Sequence, residues 1–203
     1  MALLIEKGGL IMILIFILAF VATVIIVERL LFFRKIRIDE NTMIERLKSA
    51  LQKKHYDEAI NICENNPSPV SKLMKVGIEH REYGPAEIKD AIMSSANLEI
   101  PMLERYLTTL GTIAHISPLL GLLGTVTGNI KAFGVLGEFG SVGDPSLLAS
   151  GISEALLTTA AGIAVSIPAI TFYNFLVNKV NHIIMRLENR VNDMVLLLGE
   201  ETE

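Results

Sequence analysis

Cysteine is nearly missing from this chain: Cys63 stands alone among 203 residues. That excludes a disulfide framework and a cysteine-based zinc site, and a lone thiol reads as a buried structural group. Catalytic signatures are missing too. There is no Walker loop, no H-E-x-x-H, no G-x-S-x-G and no cluster of histidines with carboxylates. An enzyme has no anchor here, and neither a metal nor a cofactor is expected. No basic stripe interleaved with aromatics runs along the chain, so nucleic acid is not an expected partner. Charge is absent from Leu10 to Val27, LIMILIFILAFVATVIIV, where Thr23 is the only hydroxyl.

What is present is apolar. The hydrophobic fraction is 51% and the mean hydropathy +0.48, more than an ordinary soluble domain of this size carries. About 20 apolar residues cross a bilayer core, and the first run qualifies with its flanks. It does not read as a secretory signal: no basic region precedes it and no small-residue cleavage site follows before ERLLFFRKIR. Two further apolar segments, near 106–137 and 147–178, are richer in Gly, Ala, Ser and Thr. Small residues suit helices that pack closely on other helices. The first segment therefore reads as lipid-facing and the other two as interior.

Charge is unevenly laid out. Residues 28–105 hold thirteen of the eighteen Lys and Arg residues, and 179–203 hold three more. The positive-inside rule places those stretches in the cytoplasm. The expected order is then a short periplasmic N-terminus (1–9) with no extended outer domain, a first span (10–33) and a cytoplasmic helical domain (34–105). A second span (106–137), a periplasmic turn (138–146), a third span (147–178) and a cytoplasmic C-terminal helix (179–203) complete it. Between the spans the apolar spacing is helical, for example Val70, Leu73, Met74 and Ile78, broken at NNPSP and EYGP. From Ala86 the pattern runs towards the second span, with Pro101 expected to bend that helix rather than end it. Nothing reads as a strand. The fold class is all-α: an integral membrane protein with three transmembrane helices, a helical cytoplasmic bundle and long helices extending into the cytoplasm. On the tail, Val180, Ile184, Leu187, Val191, Met194 and Leu198 form a heptad-like seam, suited to sister helices or to the chain's own bundle.

The two inner spans carry the candidate site. Gly111, Ala114, Ser117, Gly121, Gly124 and Gly128 recur every three or four residues, and Gly124 with Gly128 forms a GxxxG pair. Thr125 lies beside that face. The third span repeats the pattern with Gly151, Ala155, Thr158 or Thr159, Gly162, Ser166 and Ala169. Hydroxyls on such a wall suit a narrow ion or water path. Glu154 is costly inside hydrocarbon; it marks an ion route or sits at the outer interface. Lys131 lies near the outer end of its span, where it can snorkel or pair with Glu138 or a partner's acid. His115 is a proton-relay group or a hydrogen-bonded helix contact. Glu28 and Arg29 read as an interfacial pair at the inner end of the first span.

ERLLFFRK, ISPLLGLLGTVTGNIKAF and GISEALLTTAAGIAVSIPAITFYN together resemble the MotA/TolQ/ExbB proton-channel family, nearer to ExbB and TolQ than to MotA. The likeness covers roughly 10–33 and 106–178. It implies a homopentamer around two copies of a single-span partner of ExbD or TolR type, which supplies a membrane aspartate. It also implies an inner-membrane location and a TonB- or TolA-type periplasmic effector. By motif position, Thr125, Thr158 and Thr159 fall in the family's pore-lining stretch, Glu154 matches its third-span glutamate, and Gly121, Gly124, Gly128 and Gly162 serve helix packing. Asn129 and Lys131 depart from the pattern. This chain has no Asp in its membrane core, a gap that such a partner fills. Threonine-lined pores suit H⁺ or Na⁺, and the resemblance favours H⁺. A flagellar-type MotA stator subunit, or a non-conducting scaffold for a partner, stand beside this reading.

Overall fold

The structure, a computed structural model, describes residues 2–36, 40–139 and 145–199. Among the described residues every regular element is a helix. They are α1 (Ala2–Ile36), α2 (Glu40–Gln52), α3 (Tyr56–Asn65), α4 (Pro69–Glu79), α5 (Pro85–Glu104), α6 (Leu107–Phe139) and α7 (Pro145–Gly199). Three stretches are long and apolar enough to cross a membrane: Gly9–Ile36, Pro85–Gly134 and Leu148–Leu196. Most of the turn expected at 138–146, with the side chain of Glu138, lies outside the described residues.

The chain forms two compact units. One comprises α1 as far as Glu28 together with Tyr106–Leu176. In it α1 buries Met12, Ile15, Ala22 and Ile25 and exposes Leu10 and Phe20. The first span is thus not lipid-facing all round; one side is committed to packing. At Gly9 the chain takes φ 59° and ψ −162°, which kinks α1 ahead of its apolar run. Only glycine adopts that backbone readily.

The second unit is a bundle of Arg29–Arg105 with α7 from Val177 onward. Its helices have legible local causes. Ser68 caps α4 by accepting the Ser71 amide at 3.1 Å, and Pro69 follows at the first helical position, where its missing donor costs nothing. Pro85 opens α5 in the same way, with Glu87 in its first turn. Helix α2 ends in paired bonds, Lys54 N to Leu51 O at 2.8 Å and His55 N to Ala50 O at 2.9 Å, with Lys54 at φ 60°. This is the Schellman stop, built here without glycine.

The bundle core is aliphatic: Leu47, Leu73, Ile78, Ile88, Ile92 and Met194 are all buried. The heptad-like seam of the tail is spent inside this bundle. Val180, Leu187, Val191, Met194 and Leu198 are buried within the single chain, and Met194 lies against Gly77. Cys63 is buried, and burial pushes its thiol up to about 11. Lys72–Glu99 at 2.7 Å and Lys75–Glu64 at 2.6 Å rim the core. The Glu64 carboxylate holds the Lys75 ammonium above its ordinary range.

The end of α5 differs from the sequence expectation. The helix from Pro85 passes through Pro101 and stops at Glu104, so it is interrupted rather than merely bent. Arg105 turns extended (φ −50°, ψ 133°) and Tyr106 takes φ 64° before α6 begins. The carbonyls of the last turn lose their intrahelical donors there. One of them, Met102 O, accepts from Arg29 Nη1 at 3.1 Å. Arg29 is thus engaged inside the chain. It is 2% exposed, with its guanidinium 4.3 Å over the Phe32 ring.

Candidate functional site

Helices α6 and α7 meet along their small residues. On α6, Gly111, Ala114, Ser117, Gly121, Gly124 and Gly128 are all buried; on α7, Gly151, Ala155, Thr158, Gly162 and Ala169 are. The approach is at backbone distance. A methyl on Gly121 would stand 3.0 Å from Thr158 O and 3.0 Å from Thr159 Cα. One on Gly128 would stand 2.9 Å from Gly151 O, and one on Gly162 would stand 2.5 Å from Ser117 O. At Gly124 the space is filled by the Thr158 side chain. Without a hydrophobic drive between helices in lipid, such contact is what associates them.

The helices also exchange hydrogen bonds. Pro118 lies inside α6 and has no N–H for the carbonyl four residues back, Ala114 O. Ser166 Oγ on α7 supplies the missing donor at 2.6 Å. A freed carbonyl in a bilayer requires such a replacement. Ser166 stood in the sequence only as one small residue of a stripe. The signal for its role was Pro118, which orphans Ala114 O.

The threonines divide into two environments. Thr158 is 1% exposed, and its hydroxyl donates back to Glu154 O and Ala155 O. Thr125 and Thr159 are partly exposed and face each other, Oγ1 to Oγ1, at 2.9 Å. Both hydroxyls also reach one acceptor, Gly121 O, at 3.3 Å and 3.0 Å. Each hydroxyl has one proton and two lone pairs. The pair therefore has two arrangements: Thr125 donates to Thr159, which donates to Gly121 O or to Ala155 O at 3.3 Å, or Thr159 donates to Thr125, which donates to Gly121 O. In either arrangement, lone pairs remain for a further donor.

Near the C-terminal end of α6, Lys131 Nζ lies 2.8 Å from Glu154 Oε1 on α7. The Lys131 side chain is largely exposed and the Glu154 side chain mostly covered. Spacing within one helix could not reveal this bond, which joins residues 23 apart. His115 is exposed on α6, and Nδ1 bonds Gly111 O at 2.6 Å. A carbonyl only accepts, so Nδ1–H donates and Nε2 remains for another partner. Among the described residues there is no group of His, Cys, Asp and Glu that could hold a metal.

The profile of the MotA/TolQ/ExbB proton channel family matches residues 65–189. A Synechocystis sp. protein named as biopolymer transport protein ExbB-like 1 is 32% identical over 200 residues, 97% of this chain and 75% of its own length. A Methanothermobacter thermautotrophicus protein, named as a biopolymer transport protein ExbB homolog, is 30% identical over 184 residues, 90% of this chain and 65% of its own length. The Tol-Pal system protein TolQ of Haemophilus influenzae is 36% identical over 111 residues, 55% of this chain and 48% of that protein. This chain thus spans about half to three quarters of the length of these curated relatives. The matched stretch contains all of α6 and every residue of the α6/α7 seam, so the chain belongs to the MotA/TolQ/ExbB proton channel family, a family of membrane transport proteins rather than of enzymes.

Proposed function

We propose that this chain is the channel-forming subunit of a proton-driven motor of ExbB/TolQ type. It sits in the inner membrane with its N-terminus periplasmic and its C-terminus cytoplasmic. Five copies surround two copies of a single-span partner of ExbD or TolR type. The observation that carries the reading is the Thr125–Thr159 hydroxyl pair at 2.9 Å, which joins the second and third spans. Its free lone pairs suit a protonated carboxyl or a hydrated proton, and its two arrangements let it reorient as a charge passes. The partner supplies the membrane aspartate that takes up and releases the proton. Thr158 supports this wall by filling the space at Gly124, and Glu154 stands about 7.5 Å along α7 from Thr159 at 1.5 Å per residue. Motion of the partner then delivers work to a TonB- or TolA-type periplasmic effector.

The test is Thr159→Val, measured as proton uptake by vesicles holding the chain with its partner. The side chain keeps its shape and loses its hydroxyl. Uptake should fall by about a hundredfold, the scale of losing a transition-state hydrogen bond, while the mass of the complex is unchanged. Undiminished uptake would refute the pore assignment. One observation favours a second reading, the static scaffold: both hydroxyls already have acceptors inside the chain. A wild-type complex that passes no protons would decide for it.

A further inference from the structure

A third helix reaches the Lys131–Glu154 pair. A Cβ on Gly9 of α1 would stand 2.9 Å from Glu154 Oε1, the oxygen that Lys131 holds. Gly9 also takes a backbone conformation that side-chain-bearing residues avoid. The carboxylate is therefore seated between the ammonium of α6 and the bare kink of α1. From the same residue the packing continues along α7. Glu154 O accepts the Thr158 hydroxyl at 3.2 Å, and Thr158 fills the gap at Gly124. Ala155 O, the next carbonyl, accepts from Thr158 at 2.9 Å and from Thr159 at 3.3 Å.

We propose that Lys131 is a positioning residue: it ties the Glu154 carboxylate across α6, α7 and the Gly9 kink, and Glu154 so held keeps the threonine pair in register instead of carrying the ion. The inference rests on the reading of Thr125 and Thr159 as the ion route. Its physical signature is non-additive. Losing Lys131 strands the mostly covered Glu154 carboxylate, and losing Glu154 leaves an ammonium on a membrane helix without its partner. A carrier behaves differently, since removing Lys131 restores nothing to a chain that has lost its carboxylate.

The experiment compares Lys131→Met, Glu154→Gln, the double variant and the exchange Lys131→Glu with Glu154→Lys. Each is purified with the ExbD/TolR-type partner. Proton uptake is read with a pH-sensitive dye in vesicles, and the melting temperature in mild detergent. Each single variant should lower uptake roughly tenfold, with the double variant and the exchange returning to within about threefold of wild type. The melting temperature should follow the same cycle. A double variant no better than Glu154→Gln alone overturns the proposal and makes Glu154 the carrier. A melting cycle without coupling overturns it whatever the uptake does. A coupled melting cycle in a wild-type complex that passes no protons supports the tie, while the conduction reading fails.

Discussion

The α6/α7 seam and the helical bundle are packed by opposite means. The bundle fills its centre with large aliphatics such as Leu47, Leu73, Ile78, Ile88 and Ile92. The seam has almost no side chain at its centre: Gly121 and Gly162 bring backbone against backbone. In water, burying apolar area drives helices together. In lipid that drive is absent, and close contact with hydrogen bonds replaces it. The contrast has a functional consequence. Only helices this close can place hydroxyls from α6 and α7 at 2.9 Å.

The two regions should therefore fail in opposite ways, the bundle when atoms are removed and the seam when they are added. Ile78→Ala, at a side chain with no exposed surface, should cost about 2–5 kcal/mol through the cavity it leaves. Gly124→Ala adds one methyl where the Thr158 side chain already sits, and should cost about 1–3 kcal/mol as overpacking. Thermal unfolding in mild detergent checks both. Adding Thr158→Gly to Gly124→Ala should recover part of that loss, whereas no shrinking substitution repairs Ile78→Ala. Should Gly124→Ala prove harmless, the seam has room for an added methyl beside Thr158 and the comparison collapses.

A subtler difference lies in how the seam satisfies its backbone. Ser166→Ala strands Ala114 O, which Pro118 has already deprived of its amide donor. The expected loss is about 1–2 kcal/mol, the scale of an unsatisfied buried acceptor. Pro118→Ala restores the intrahelical donor, so in that background Ser166→Ala should cost little. Equal costs in both backgrounds would mean that the serine acts through packing alone.

These residues show what was legible in the chain and why. Long apolar runs and helical spacing announce three spans and an all-helical fold, because both follow from local sequence. The motifs of the second and third spans likewise point to the family. Spacing reports which residues share a face, but not what covers it. The tail seam of Val180 to Leu198 shows this: the same heptads suit a sister chain, yet all of its residues but the half-buried Ile184 are buried within one chain. Lys131 was visible as a departure, while its bond to Glu154 depends on how two helices align. The stop at Arg105–Tyr106 was missed because the nearby proline invited a bend, and α5 in fact continues three residues beyond Pro101.

The smallest expected effect sharpens the comparison through glycine itself. In the seam every added methyl meets a neighbour, so glycine is needed for space. At the end of α2 the need is conformational, and the residue present is Lys54 at φ 60°. A side-chain-bearing residue in that region costs about 1–2 kcal/mol. Glycine removes the strain but frees the unfolded chain, which returns about 0.4–1 kcal/mol of the gain. Lys54→Gly should therefore stabilise the bundle by about 0.5–1 kcal/mol, seen as a small rise in melting temperature. The amide bonds from Lys54 and His55 to Leu51 and Ala50 need no side chain and should persist. A fall in melting temperature would show that the Lys54 side chain stabilises the polar hollow it lines with His55, Tyr56 and Arg81 by more than its backbone strain costs. In the bundle, then, a new glycine is expected to help, whereas in the seam replacing an existing one is expected to harm.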